Sequence, residues 1–293
     1  MSGYRSGLRP TSHILASVAP RSRRREPDDP LAAYRRIRKP MPPPERVEPD
    51  RRQELRERED EEEMRSPSRE FVDRTDAGKQ LAAVLRSLAG DDVVVLAIPR
   101  GGVEVAAVVA EELRAPLDVV IPRKVGAPSN PELGLGAIAE GVEVLDPALI
   151  DALGVSREYL SAEIAREREE IRRRAHAYRG GRPQVELNEK VAVVVDDGVA
   201  TGGTAVAALR WARLHGAARV ILAVPVAPAE GVDRLRGEAD EVVVLFAPNL
   251  FYAVGQWYLD FPQVSDRRVV ELLAAASTRT APRAGRDDEG PSS

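Results

Sequence analysis

The sequence predicts an α/β fold: a mainly parallel, twisted sheet flanked by helices on both faces, with a small hood. Two observations support this class. Five short runs are apolar and rich in β-branched residues, as strands buried on both faces are. Helical patterns separate most of these runs, and such alternation is typical of parallel sheets. The expected strands are residues 93–98, 117–121, 191–195, 220–224 and 242–245.

Two helices have recognisable ends. We expect Asp76 to cap a helix that stops at Gly90, because aspartate favours helix N-termini and glycine favours the position after the last turn. A second, long helix is expected from Ser156 to Arg179. Its many arginines alternate with acidic residues, which indicates a charged solvent-facing surface.

The composition divides the 293 residues into three parts. Residues 1–68 are rich in Arg, Pro, Glu and Ser, and we interpret them as a disordered tail. An alternative for this tail is an arm that contacts RNA or a partner, and another is that translation starts at Met64. The folded domain is expected over residues 69–277, followed by a second disordered tail over 278–293.

The overall composition excludes several classes of function. There is no cysteine, which excludes disulfide scaffolds and thiol nucleophiles and favours a cytoplasmic location. The three histidines have no ligand-like spacing. No apolar run approaches the roughly 20 residues that span a membrane. A net charge of −4 gives no general reason to expect nucleic-acid binding.

Residues 191–204 have the pattern of a buried strand, an acidic pair, a glycine-rich turn and the start of a helix. Glycine lets a backbone approach a ligand closely, and amides at a helix N-terminus attract anions. With the hydroxyls of Thr201 and Thr204, such a turn makes a cradle for a phosphate monoester. Two adjacent carboxylates such as those of Asp196 and Asp197 repel each other, which costs free energy unless they accept hydrogen bonds or face a cation such as Mg²⁺. The alternative is a simple Asp-Asp-Gly turn.

The run VVVDDGVATGGTA, residues 193–205, resembles the thirteen-residue phosphoribosyl pyrophosphate motif of type I phosphoribosyltransferases. The resemblance implies that Asp196 and Asp197 hold the ribose hydroxyls, and hold Mg²⁺ through water or through those hydroxyls. It also implies that the turn binds the 5-phosphate. The residues of this predicted phosphate loop are Val199, Ala200, Thr201, Gly202, Gly203 and Thr204.

Two further segments resemble loops of this family, and the resemblance covers roughly residues 71–275. Residues 97–103 end a strand and open a helix, like the family's pyrophosphate loop, although an ordinary turn would look similar. Residues 120–131 resemble the flexible loop that closes over the substrate, or are a solvated basic turn. The expected pyrophosphate contacts are Arg100, Gly101 and Gly102 in the first segment and Arg123 and Lys124 in the second.

The resemblance also bears on the acceptor. Enzymes for 6-oxopurines carry an aspartate where this chain has Ala200, so hypoxanthine and guanine are disfavoured and the motif is closer to that of adenine and orotate enzymes. A glutamate acts in the adenine branch, and Glu140 is the nearest candidate. A hood that includes residues 248–262 is expected over the base. Its candidate base-stacking aromatics are Phe251, Tyr252, Trp257 and Tyr258.

Two functions follow from the resemblance. The first is a magnesium-dependent enzyme that transfers the phosphoribosyl group of phosphoribosyl pyrophosphate to an unidentified base. The second is a non-catalytic regulator that senses the same ligand, since fold alone does not separate the two. A homodimer is a further expectation from the family.

Overall fold

The computed structural model describes residues 70–90 and 92–280. The predicted tail of residues 1–68 lies outside this part of the chain, as does the alternative start at Met64. The last helix continues to Thr280, which is three residues past the predicted domain boundary at 277. The rest of the predicted C-terminal tail lies outside the described residues.

The described residues form eight strands and seven α-helices. The strands are β1 Val93–Ala97, β2 Leu117–Val119, β3 Arg123–Ala127, β4 Asn130–Ala139, β5 Val142–Leu145, β6 Val191–Val195, β7 Arg219–Val226 and β8 Glu241–Phe246. The helices are α1 Arg74–Leu85, α2 Gly102–Leu113, α3 Pro147–Ala152, α4 Arg157–Arg179, α5 Gly203–Leu214, α6 Ala229–Arg236 and α7 Asp266–Thr280. Short 3-10 turns occupy Arg86–Leu88 and Val254–Trp257.

The larger sheet is the one that the sequence predicts. Its five strands are all parallel, in the order β2-β1-β6-β7-β8. Every residue of β1 is buried, because Val93, Val95 and Ala97 face one core while Val94 and Leu96 face the other. Burial on both faces explains why the strand sequences are continuous apolar runs. The predicted fold class is therefore confirmed.

Helices cover both faces of this sheet. On one face α1, α2, α4 and α7 contribute to the core, through residues such as Val105 and Leu273. On the other face α5 and α6 contribute, through residues such as Leu209 and Leu235. No helix within the described residues is long and apolar enough to cross a lipid bilayer.

A smaller antiparallel sheet, in the order β3-β4-β5, was not predicted. It includes most of residues 120–131, which were expected to be a flexible loop. Glycine and proline interrupt the apolar alternation that would reveal these strands. At Gly136 the interruption is required, since φ is +150° and an added Cβ would lie 2.1 Å from the oxygen of Val144. The sheet packs beside α5 through Ala137 and Ala139.

The two predicted helix starts have different outcomes. The cap of α1 is Asp73, not Asp76: its Oδ1 accepts a hydrogen bond from the Asp76 amide at 2.7 Å. Asp76 lies in the first turn, and its carboxylate accepts from the amide of Val72 at 3.0 Å. The long helix is confirmed, with Ser156 as its cap accepting from the Tyr159 amide at 3.2 Å.

Candidate functional site

The three predicted loops follow strands that are neighbours in the parallel sheet. β2, β1 and β6 lie side by side, and the carboxyl ends of parallel strands meet at one edge, where ligands bind. Main-chain bonding continues just past β1, since the Ile98 amide donates to the Val195 oxygen at 2.9 Å. This edge therefore collects, in order, the loops that contain Arg123, Arg100 and the acidic pair.

The glycine-rich turn leads directly into the N-terminus of α5. Gly202 precedes the helix with a φ of +79°, a left-handed conformation that glycine adopts without strain. Val199 is buried and its amide donates to the oxygen of Val226 at 2.9 Å, which anchors the start of the turn. Ala200 and Thr201 are exposed. The turn thus offers free helix-terminal amides and the positive end of the helix dipole to an anion.

Two glycines let the predicted pyrophosphate loop lie directly against the acidic pair. A Cβ added to Gly101 would be 1.7 Å from Asp197 Oδ2, and one added to Gly102 would be 2.8 Å from Asp196 Cα. A larger residue at Gly102 would meet the backbone of the other loop, and one at Gly101 would displace the Asp197 carboxylate. The Pro99–Arg100 peptide, just before these glycines, is cis. The structure thus brings together two segments that are far apart in the sequence.

The two carboxylates of the acidic pair have different surroundings. Burial raises the pKa of Asp196 well above its usual value, and the charge of Asp197 adds to that rise. Asp196 Oδ1 accepts from the Asp197 amide at 2.9 Å, whereas Asp197 Oδ2 accepts from Arg74 Nε at 2.8 Å. Asp197 therefore has a cation of the chain beside it, and a bound cation would favour the charged form of Asp196.

The acidic pair could hold Mg²⁺ only if a bound substrate and water supplied the remaining ligands. Within residues 70–90 and 92–280, no group of three or more His, Asp or Glu side chains is arranged to hold a metal ion. At phosphate-binding sites Mg²⁺ is commonly held by one or two carboxylates, while substrate phosphates and waters complete its shell. The oxygens of Asp196 and Asp197 therefore suit an ion that arrives with a phosphorylated substrate.

Arg74, the first residue of α1, lies at the site although the sequence did not predict it there. It is only 5% exposed. Besides its bond to Asp197, its Nη1 donates to the oxygen of Pro262 at 2.7 Å, and its guanidinium carbon lies 3.8 Å from the centroid of the Phe261 ring. Arg74 and Asp197 are 123 residues apart, so no spacing or periodicity links them.

The two cations predicted on the flexible loop both have acidic partners. Arg123 Nε donates to Glu167 Oε2 at 2.6 Å, and Glu167 is buried with 2% exposure. Lys124 Nζ donates to the main-chain oxygen of Glu132 and lies 3.4 Å from its carboxylate. Glu167 was not identified from the sequence, because it lies among other charged residues of α4.

Arg100 also faces a carboxylate, that of Asp266 at the start of α7. The Arg100 Nη1 to Asp266 Oδ1 distance is 3.7 Å, and the same oxygen accepts from the Tyr178 hydroxyl at 2.6 Å. Burial, with this hydrogen bond, raises the pKa of Tyr178 to about 12. α4 and α7 thus support the end of the predicted pyrophosphate loop.

Glu140, which was predicted to act in catalysis, lies away from the phosphate loop in the structure. It lies in the exposed turn between β4 and β5. A Cβ on the adjacent Gly141 would be 3.0 Å from Leu214, the last residue of α5. The phosphate loop is at the other end of that twelve-residue helix, roughly 16 Å away at 1.5 Å per residue. The resemblance assigned Glu140 to a loop that is a hairpin in this chain.

Two of the four predicted hood aromatics are buried in the core of the protein. Trp257 is 3% exposed and Tyr258 is 2% exposed, so neither ring presents a face to a base. The Tyr258 hydroxyl instead donates to the main-chain oxygen of Asp197 at 2.5 Å. Phe251 is partly buried and Tyr252 is 77% exposed, and these two remain as candidates for stacking.

The fold and the site define a class: a parallel α/β domain with a glycine-rich turn at a helix N-terminus beside an acidic pair. The model of the phosphoribosyl transferase domain family matches residues 73–249. Two Mycobacterium tuberculosis proteins, from strains CDC 1551 and H37Rv, carry provisional phosphoribosyl transferase names. Each is 50% identical over 207 residues, which are 70% of this chain and 47% of theirs. The crystal structure of TT1426 from Thermus thermophilus has 48% identity and a TM-score of 0.60, covering 70% of this chain and 98% of that one.

The chain belongs to the phosphoribosyl transferase domain family, because the family model spans more than half of its length. This confirms the resemblance carried by the motif and, at the level of the domain, the class of pentosyltransferase that it implied. The chain spans about half the length of the curated relatives it matches. The reaction and substrates of the whole protein are therefore matters for proposal.

Proposed function

We propose that this protein is a magnesium-dependent phosphoribosyltransferase. It would transfer the phosphoribosyl group of phosphoribosyl pyrophosphate to a nucleobase-like nitrogen and release pyrophosphate. The observation that carries the proposal is the contact between two loops: Gly101 and Gly102 lie directly against Asp196 and Asp197, and the glycine-rich turn follows Asp197 in the same loop. Sites for pyrophosphate, ribose and 5-phosphate are therefore contiguous in this proposal.

The 5-phosphate is assigned to the turn of residues 199–204. Main-chain amides at the start of α5 would donate to its oxygens, and the hydroxyls of Thr201 and Thr204 would add two donors. Space for the ligand supports this assignment. A Cβ added to Gly203 would have Ala137 as its nearest neighbour, at 3.9 Å, and Thr201 is exposed.

The ribose hydroxyls are assigned to Asp196 and Asp197, which would accept hydrogen bonds from them. The same carboxylates would hold Mg²⁺ through water or through the hydroxyls. Bound Mg²⁺ supplies positive charge that stabilises the departing pyrophosphate. The raised pKa of Asp196 supports this part of the proposal, since an added cation gains most beside a carboxylate whose charged form burial disfavours.

The pyrophosphate is assigned to the loop of Arg100, Gly101 and Gly102, with Arg123 and Lys124 joining it when the site closes. Arginine suits this role because its guanidinium can bond two oxygens at once. Both arginines face carboxylates in the structure. Binding would exchange those carboxylates for pyrophosphate oxygens, and closure would exclude water from the reacting carbon.

The transfer breaks the bond between C1 of the ribose and a pyrophosphate oxygen, and the pyrophosphate leaves with the electron pair of that bond. A bond forms between C1 and the acceptor nitrogen, and the departing pyrophosphate takes up the proton that the nitrogen loses. Positive charge develops on the sugar in the transition state, as it does in glycoside cleavage. The carboxylates of Asp196 and Asp197 lie on the ribose side in this arrangement. Phe251 or Tyr252 would stack on the base, and adenine and orotate are the first bases to test.

A second candidate is a sensor that binds the same ligand without turnover. It is favoured by the engagement of Arg123 with a buried carboxylate, because breaking that ion pair opposes closure. In either case we propose a cytoplasmic homodimer. Cell fractionation and light scattering would check its location and its oligomeric state.

Release of pyrophosphate is the test of function. The full chain is incubated with phosphoribosyl pyrophosphate, Mg²⁺ and adenine or orotate, and the pyrophosphate formed is measured. Thr204→Val removes one proposed phosphate ligand and is expected to slow release. Thr278→Val, on the exposed face of α7, is the matched control and is expected to leave release unchanged. Binding without release would indicate the sensor, and absence of both would contradict the proposal.

A further inference from the structure

Arg74 lies where four parts of the molecule meet. Its Nε donates to Asp197 at 2.8 Å, and its Nη1 donates to the oxygen of Pro262 at 2.7 Å. The guanidinium also covers the ring of Phe261, and its Nη1 lies 3.8 Å from Glu104 on α2. Bonds in two directions at once are what a planar guanidinium provides, and an ammonium group offers only a single point charge.

The hood is attached to the same place by other bonds. The Phe71 amide, just before α1, donates to the oxygen of Trp257 at 3.1 Å. The Tyr258 hydroxyl donates to the main-chain oxygen of Asp197. Two polar groups of Asp197, its carboxylate and its carbonyl, are therefore bonded by the α1 and hood side of the site.

We propose that Arg74 is a positioning residue that ties the hood to Asp197. The inference rests on the proposed function and deepens it, because it makes the N-terminus of α1 part of the site although it lies outside the motif. Without the guanidinium, the Pro262 oxygen loses its donor and the ring of Phe261 loses its cation. The chain of residues 258–262 is then held to the acidic pair by the Tyr258 hydroxyl, with no charged contact.

Arg74 also offsets a charge at the place where pyrophosphate is proposed to bind. Asp197 Oδ2 lies against Gly101, in the predicted pyrophosphate loop. A carboxylate there repels an anionic ligand unless a cation balances it. Arg74 supplies that cation from a buried position, so its effect is less screened than that of a surface residue.

Tryptophan fluorescence tests the proposed connection between the hood and Asp197 without any ligand. The chain has two tryptophans: Trp257 in the hood, and Trp211 in α5, which is buried and stacked on His215. In a Trp211→Phe background, Arg74→Met is expected to raise the acrylamide quenching of Trp257 to a value between those of the native and unfolded chains. In a Trp257→Phe background, the same substitution is expected to leave the quenching of Trp211 unchanged.

Three variants test whether loss of the contact between Arg74 and Asp197 is what raises the quenching of Trp257. Arg268→Met removes another cation beside Glu104, at 3.3 Å, without touching Asp197, and is expected to leave Trp257 as in the wild type. Arg74→Lys keeps the charge but replaces the two nitrogens that donate from Arg74 by one, so we expect quenching of Trp257 between that of the wild type and that of Arg74→Met. Asp197→Asn is expected to raise the quenching, and adding it to Arg74→Met is expected to raise it little further, because both changes break one contact.

Titration with phosphoribosyl pyrophosphate and Mg²⁺ adds the functional readout. Arg74→Met is expected to lower the affinity about ten-fold or more, the usual loss for a hydrogen bond to a charged group, and Arg268→Met is expected to retain it. Unchanged quenching of Trp257 in Arg74→Met overturns the inference. An equal rise for Trp211 and Trp257 overturns it too, since that would mean general loosening. A wild-type chain that binds no ligand contradicts the proposed function instead, and the quenching still decides the role of Arg74.

Discussion

Substitution of Gly101 by alanine tests the contact between the two loops. The backbone of Gly101 has φ −60° and ψ −41°, which alanine adopts readily, so the change introduces no backbone strain. Its effect comes from the new methyl group, which would lie 1.7 Å from Asp197 Oδ2 and 3.0 Å from Arg74 Nε. Real Cβ contacts shorter than 3.0 Å are essentially never seen. The carboxylate must therefore move by at least about 1.3 Å, the difference between those two distances.

That displacement is large enough to break the bond between Arg74 and Asp197, which is 2.8 Å long. Loss of a hydrogen bond between charged groups costs about 1.5–3 kcal/mol, which corresponds to an affinity roughly 10- to 150-fold lower. We therefore expect Gly101→Ala to weaken the binding of phosphoribosyl pyrophosphate and Mg²⁺ by that factor, as measured by calorimetry. The fold itself should persist, because the methyl group meets side-chain atoms that can move.

The matched control is Gly231→Ala. Gly231 lies in α6, and a Cβ there has ordinary contacts, the nearest being 3.4 Å from Pro228. It is expected to keep the wild-type affinity and to stabilise the fold by about 0.4–1 kcal/mol, as alanine does in a helix. Wild-type affinity in Gly101→Ala would refute the reasoning, because it would mean that the position of the Asp197 carboxylate does not matter to the ligand.

Three other variants test separate parts of the account. Burial raises the pKa of Asp196 above its value in the unfolded chain. The stability that the protonated form contributes at low pH is therefore lost as pH rises through the raised pKa. The uncharged Asp196→Asn chain should melt at a higher temperature than the wild type at neutral pH and should lose ligand binding. Tyr258→Phe should lower the free energy of unfolding in urea by about 0.5–1.5 kcal/mol, the usual worth of the lost bond to Asp197. Glu140→Ala should leave affinity unchanged and stability within about 0.5 kcal/mol, as is usual at exposed positions. Each step has an outcome that would contradict it. These outcomes are a melting temperature of Asp196→Asn below that of the wild type, an unchanged free energy of unfolding in Tyr258→Phe, and loss of binding in Glu140→Ala.

The parallel sheet could be predicted because its signal is local. A strand buried on both faces needs apolar residues at every position, and β6 matches its predicted bounds, Val191–Val195, at both ends. The antiparallel sheet has a weaker signal, because glycines such as Gly134 and Gly136 replace the apolar residues that would mark its strands. The cap of α1 was misplaced by three residues, since Asp73 and Asp76 are both suitable cap residues.

The candidate site likewise has parts that the sequence predicts and parts that it does not. The turn from Asp196 to Thr204 is contiguous in the chain, so its residue types alone indicate an anion site. The bond between Arg74 and Asp197 joins residues 123 positions apart, and no local sequence pattern connects them. The burial of Trp257 likewise depends on how the hood folds back onto the core, which a count of aromatic residues does not reveal.

The central claim is that Asp196 to Thr204 hold phosphoribosyl pyrophosphate with Mg²⁺. Calorimetric titration of the full chain with this ligand, with and without Mg²⁺, tests it most directly, with an Asp196→Asn, Asp197→Asn chain as the control. We expect binding that requires Mg²⁺ and is lost in the control chain. Absence of binding in the wild-type chain, or equal binding in the control, would contradict it.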